Sequence, residues 1–294
     1  MTNRNFEETF QNANGLELYY QSWYPQALAR AVLVIVPGHG GHSGIFAKMV
    51  EYLTERHYII YSFDLRGNGR SPGQRGYINS WAEYRADLKT FLKLVQSKEP
   101  DLDLFLIGQS MGGTIALDYI LRESNQPQGL ILLSPALGLG VASWKLFLGQ
   151  VLSSILPRFS LDTSIGFSAA SRDGEVVAAC ARDPLRHTKG TARLATELLK
   201  TIEWINAHAA EIEVPLLILH GGADRVTLPA CSQILFERLT LADKERREYP
   251  DSYHELHCDI NYQEVLADMD DWIKRHSLNS PSHKVGNVTK TINN

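Results

Sequence analysis

Cysteine is scarce. Cys180, Cys231 and Cys258 are the only three, and no C-x-x-C pair occurs. That usage excludes a disulfide-stapled mini-protein, a zinc knuckle and a dithiol redox centre, and it points to a reducing compartment. A basic excess is missing too: 29 Lys and Arg stand against 33 Asp and Glu, a net charge of −4. No cationic footprint exists for phosphates, so a nucleic-acid partner is not expected. No apolar run approaches the roughly 20 residues that span a bilayer. The opening MTNRNFEETFQNANG lacks the apolar core of a secretory signal. The expectation is a cytoplasmic protein that meets a membrane only peripherally. Repeats and low-complexity tracts are also absent. With 44% apolar and 21% charged residues, the composition is that of a globular chain.

What is present is an alternation. Short apolar runs at Leu16 to Trp23, Ala31 to Val36, Ile59 to Phe63, Leu104 to Ile107, Leu130 to Leu133 and Leu216 to Leu219 read as strands, with Arg246 to Tyr249 weaker. Continuous β-branched runs suit central parallel strands covered on both faces. Helical patterns lie between them, at Ile45 to Arg56, Trp81 to Val95, Met111 to Arg122, Pro229 to Leu239 and Tyr262 to His276. Strands alternating with helices predict βαβ units and a doubly wound, mostly parallel α/β sheet. Between Ser134-Pro135 and Val214-Pro215 no strand is apparent, only helical patterns at Trp144 to Leu156 and Thr191 to Ala207. Residues 138–213 are therefore expected to form a helical cap over the sheet edge, inserted between core segments 1–137 and 214–276. The polar tail 277–294 is expected to lack fixed structure.

The chemistry concentrates at Gly108-Gln109-Ser110-Met111-Gly112, a G-x-S-x-G pattern closing one strand and opening a helix. Such an elbow needs glycines because side chains there would strike the neighbouring strand and helix. It lifts the Ser110 hydroxyl above the sheet, beside a helix N-terminus that favours developing negative charge. A serine hydroxyl is a poor nucleophile without a base, and the order along such a chain is Ser, acid, His. Asp224 follows the Leu216 to Leu219 strand and is the expected acid. His254 follows the last strand and is the expected base, with His257 its rival; His220 is expected to be structural. The loop Pro37-Gly38-His39-Gly40-Gly41 should bring one oxyanion donor, the His39 backbone N–H, and Met111 N–H the other. Its glycine spacing fits neither a dinucleotide nor a P-loop pattern. Asp64-Leu65-Arg66-Gly67-Asn68-Gly69-Arg70-Ser71 reads as a turn tied by charge-assisted hydrogen bonds.

These residues resemble the monoacylglycerol lipase and lysophospholipase-like branch of the α/β-hydrolases. The matching pieces include Gly40-Gly41-His42-Ser43-Gly44, Arg75-Gly76-Tyr77, Gly108-Gln109-Ser110-Met111-Gly112-Gly113, Asp183-Pro184-Leu185, His220-Gly221-x-Ala223-Asp224 and Tyr253-His254-Glu255. The resemblance implies an α/β-hydrolase fold, a triad at Ser110, Asp224 and His254, oxyanion donors at His39 and Met111, and no metal or organic cofactor. It also implies a cap that forms an acyl tunnel, and a small lipid ester as substrate. The chain departs from the family at Pro37-Gly38 in place of His-Gly, at Gln109 in place of His before the nucleophile, and at Asn68 in place of a frequent His. The expected reaction is ester hydrolysis through an acyl-enzyme. Monoacylglycerol hydrolysis heads the list of activities, ahead of a lysophospholipase, a broad carboxylesterase and a proline-type aminopeptidase. Outside catalysis, the same fold serves as a ligand receptor.

Overall fold

The computed structural model describes residues 4–138, 152–163 and 166–277. Strand β3 (Ala31–Val36) shows how the sheet is made. Val32, Val34 and Val36 pack into one hydrophobic layer, Ala31, Leu33 and Ile35 into the other, and all six are buried. Successive strand residues point to opposite faces, so an unbroken apolar run is what a doubly covered strand requires.

Around it lie β1 (Arg4–Gln11), β2 (Glu17–Tyr24), β4 (Tyr58–Phe63), β5 (Leu104–Gln109), β6 (Gly129–Leu133), β9 (Leu216–Gly221) and β10 (Lys244–Tyr249). Together they form an eight-stranded sheet in the order β1-β2-β4-β3-β5-β6-β9-β10. Every pair from β4 to β10 is parallel, whereas β1 with β2 and β2 with β4 are antiparallel. Strand β1 was not legible in the sequence. Only Phe10 of its eight residues is buried, so no apolar alternation marks it, and its conformation comes from edge pairing with β2.

Helices α1 (Ala47–Thr54) and α7 (Tyr262–His276) cover one face with Phe46, Met49, Leu53, Leu266, Met269 and Trp272. Helices α2 (Ala82–Lys98), α3 (Met111–Arg122), α5 (Ala192–His208) and α6 (Pro229–Arg238) cover the other. This is the α/β-hydrolase architecture, and the strands' C-terminal ends gather the loops that carry the chemistry.

The segment between β6 and β9 corrects the strandless reading. It holds β7 (Ser160–Asp162) and β8 (Lys189–Thr191), an antiparallel ribbon, besides α4 (Gly174–Arg182) and α5. The two strands have three residues each, too short for any periodicity to reveal. The segment lies over the strand ends, not the sheet edge. His187 N–H donates to Gly40 O at 3.2 Å, Thr191 N–H to Gly76 O at 3.1 Å and Glu255 N–H to Ala170 O at 2.7 Å. The expected helix Trp144 to Leu156 falls mostly outside the described residues, as does the tail from 278.

The Asp64 loop is architecture. Asp64 accepts Ser43 N–H at 2.7 Å and Arg70 N–H at 2.8 Å. Arg66 forks onto buried Asp87 at 2.6 and 2.7 Å. These bonds fix the loops that support the glycine-rich turn after β3.

Candidate active site

Ser110 joins β5 to α3 at φ 54°, ψ −122°, a region that a residue with a side chain occupies only at a cost of about 1–3 kcal/mol. The surroundings enforce it. Ser110 N–H donates to Leu133 O at 2.9 Å, and Ser110 O accepts Gly113 N–H at 2.9 Å and Ala136 N–H at 3.0 Å. A Cβ at Gly108 would sit 2.6 Å from Gly113 Cα, and one at Gly112 would sit 2.1 Å from Val36 O. Neither neighbour can yield, since both are backbone.

Asp224 and His254 meet as a buried pair, with His254 Nδ1 2.7 Å from Asp224 Oδ2. Asp224 turns back on its own loop: Oδ1 accepts Val226 N–H at 2.7 Å and Thr227 N–H at 3.0 Å, and Oδ2 accepts the Thr227 hydroxyl at 2.8 Å. Burial pushes the Asp224 carboxyl up. His220, His254 and the Thr227 N–H beside it outweigh that and hold it well below the usual carboxylate range. Of the two imidazoles, His254 is the hydrogen-bond partner. His220 Nε2 is 3.4 Å from Oδ2 but 2.9 Å from the Thr227 carbonyl, so it braces the acid loop from beneath. An acceptor on Nδ1 fixes the tautomer that leaves a lone pair on His254 Nε2.

Ser110 and His254 line one cavity of about 100 Å³, whose polar lining also includes Gln109, Arg186, His187 and Glu255. His39, Ser110, Thr163 and Val226 also border a second cavity of about 410 Å³. Its walls are apolar, carried by Met111, Leu152, Phe159, Leu161, Leu194 and Leu198. Small-molecule sites commonly span roughly 300–1,000 Å³ with such walls. Among the described residues, the loop amides flanking His39 are engaged: Gly38 N–H with Gln109 Oε1 at 3.0 Å and Gly40 N–H with Asn68 Oδ1 at 3.1 Å. His39 N–H lies between them. Met111 is the first residue of α3, where a helix leaves its N–H groups without an intrahelical acceptor.

His257 does not line the cavity. It is fully buried, with its ring 4.8 Å from that of Phe46. Burial pushes its pKa down from 6.5 to about 4. Between those values the unfolded chain binds more protons than the folded one, so stability falls as pH drops through this window. The loss is on the order of 3 kcal/mol. Urea unfolding at pH 7 and pH 4 should show it, and His257→Leu should remove its share; an unchanged difference in the variant would contradict this origin.

Sequence reasoning did not find Thr227, whose hydroxyl is also 3.2 Å from His254 Nδ1. Its signal was a hydroxyl residue three places after an acid, the spacing of a side-chain-closed turn. Nor did it find the buried ion pair of Arg186 with Glu255 at the cavity wall. Those two positions are 69 residues apart, and no local pattern links them. Burial would raise the Glu255 carboxyl, but Arg186 outweighs it and brings the pKa down to about 2.

Comparison with known proteins gives the chain's family. The model of the serine aminopeptidase S33 family matches residues 27–261. Monoacylglycerol lipase of Mycolicibacterium smegmatis is 30% identical over 273 residues, covering 92% of this chain and 97% of that protein. Monoglyceride lipase of Homo sapiens is 27% identical over 272 residues, covering 90% and 89%. Among solved structures, monoacylglycerol lipase of Paleococcus ferrophilus superposes with a TM-score of 0.80 at 30% identity, covering 89% of this chain and 100% of that one. A soluble variant of the Saccharomyces cerevisiae monoglyceride lipase gives 0.84 at 23% identity, covering 94% and 96%, a likeness of fold. By sequence and by fold, the chain belongs to the serine aminopeptidase S33 family of α/β-hydrolases.

Proposed function

We propose that this serine ester hydrolase cleaves monoacylglycerols, with Ser110 as nucleophile, His254 as base and Asp224 as the group that orients it. His254 Nε2 takes the Ser110 proton as Oγ attacks the acyl carbonyl. The His39 and Met111 amides hold the tetrahedral oxyanion. The imidazolium gives its proton to the departing alcohol, leaving an acyl-serine. Water, deprotonated by the same imidazole, then attacks the acyl carbon and releases the fatty acid.

The observation that carries the substrate reading is the pairing of cavities at Ser110. A large, strongly apolar chamber and a smaller cavity with more polar side chains in its wall both reach that residue. An acyl chain suits the first and a glycerol-sized alcohol the second. The relatives named above act on the same class of ester. Exposed Phe159 and Leu161 line the chamber, and Ile155 and Leu156 just before them in the chain are exposed too, a surface suited to approaching a lipid aggregate. Among the described residues no helix is long and apolar enough to cross a membrane.

An aminopeptidase needs a free carboxylate for the substrate ammonium. The carboxylate lining the smaller cavity is Glu255, and Arg186 already neutralises it. A lysophospholipid must place a phosphodiester in that same small space.

A substrate panel tests the reading. Each methylene entering the chamber contributes about 0.8 kcal/mol, roughly a fourfold gain in kcat/KM. Monoacylglycerols should therefore climb steeply with acyl length until the chamber fills. They should exceed lysophosphatidylcholines and aminoacyl amides of matched size. A flat length profile, or faster amide cleavage, would overturn the proposal.

A further inference from the structure

Gln109 stands immediately before the nucleophile and is buried. Its amide is held at both ends. Oε1 accepts the Gly38 N–H at 3.0 Å, and Nε2 lies 3.5 Å from His254 Nε2. The Gly38 N–H can be met only by the carbonyl oxygen, so the orientation is fixed and the amide N–H groups face the imidazole. His254 can answer, because Asp224 engages Nδ1 and leaves the lone pair on Nε2. That lone pair is the one the Ser110 proton must reach. Nor has Ser110 taken it in the resting site: no hydrogen bond joins the two side chains among the described residues. Reaction geometry at such a base commonly tightens only with substrate in place.

We infer that Gln109 is a positioning residue that ties the oxyanion loop to the catalytic base and keeps the base neutral, with its Nε2 lone pair unprotonated, until substrate brings Ser110 to it. The inference rests on the triad proposed above. Two consequences follow from the chemistry of the amide. The Gly38 link sets the height of the His39 amide over Ser110. The N–H donor facing Nε2 matches a neutral imidazole and opposes an imidazolium, whose own Nε2–H would meet it head on. A proton taken from Ser110 is thereby encouraged onward to the leaving alcohol. The other charged or titratable groups around His254 are Asp224 and His220 from the acid loop, Glu255 and His257 from its own loop, and Arg186 from the inserted segment. All of these remain in a Gln109 variant.

The test is the pH dependence of kcat/KM for a soluble p-nitrophenyl ester. Gln109→Glu keeps the acceptor for Gly38 N–H but presents a carboxylate to the imidazole. It should move the acid limb up by about one pH unit or more and lower kcat, because the imidazolium is then trapped. Gln109→Met fills the same space with neither group. It should lower kcat by about tenfold or more, since the oxyanion loop loses its anchor, while KM stays within about twofold. A purely structural role would lower the melting temperature without moving the acid limb. An unmoved limb in folded Gln109→Glu overturns the inference. Should that variant not fold, wild-type kcat in Gln109→Met does so instead. Loss of activity in Ser110→Ala is a separate readout, so failure here leaves the ester-hydrolase reading standing.

Discussion

Replacing Ser110 by alanine is expected to lower kcat/KM for a p-nitrophenyl ester by about 10⁴–10⁶-fold, with the protein still folded. The size follows from what is removed. In the proposed mechanism no acyl-enzyme forms without Oγ, and only the oxyanion donors remain, which leave a residual advantage over water of roughly 10³–10⁴. The structure also says why folding should survive. The elbow is held by backbone bonds from Ser110 to Leu133, Gly113 and Ala136, and alanine keeps all of them. Both side chains pay the same penalty at φ 54°, so the strain does not change. Melting curves of the two proteins should overlay; activity within tenfold of wild type would remove Ser110 from the mechanism.

Asp224→Asn should cost about 10⁴-fold in kcat with a smaller effect on stability. An asparagine oxygen can still accept Val226 and Thr227 N–H, so the turn persists. The amide nitrogen then takes the place of Oδ2, 2.7 Å from His254 Nδ1. A donor there forces the proton to Nε2 and removes the lone pair that Ser110 needs. A kinetic loss of tenfold or less, in a protein with native melting behaviour, would show that Asp224 does not set the tautomer. Thr227 sharpens the argument, since its single hydroxyl proton is shared between Asp224 Oδ2 and the Ser134 carbonyl.

The sequence carried most of the sheet because its central strands are buried on both faces, which demands unbroken apolar runs such as AVLVIV. It carried the elbow because backbone crowding at Gly108 and Gly112 permits no other residue. Signals failed where an element carries no apolar pattern or is made by partners distant in sequence. Strand β1 is polar along almost its whole length and exists through its pairing with β2. The ribbon of β7 and β8 joins residues 160–162 to 189–191, too short and too far apart to be read locally. At the site, the chain order Ser, Asp, His was legible because each follows a strand end. The second layer of contacts was not. The Gln109 bridge to Gly38 and His254 spans 71 and 145 positions, and only the closed fold brings those groups together. Gln109 could be noticed as a departure from the family, but its two partners could not be named.

The central claim is that the hydroxyl of Ser110 is made nucleophilic by His254 and Asp224. A fluorophosphonate reports this most directly, because it phosphonylates only an activated serine. Peptide mapping after treatment of the wild-type protein should place a single adduct on Ser110, formed much more slowly in His254→Ala. A folded, esterase-active protein that carries no adduct, or carries it on another residue, would contradict the account.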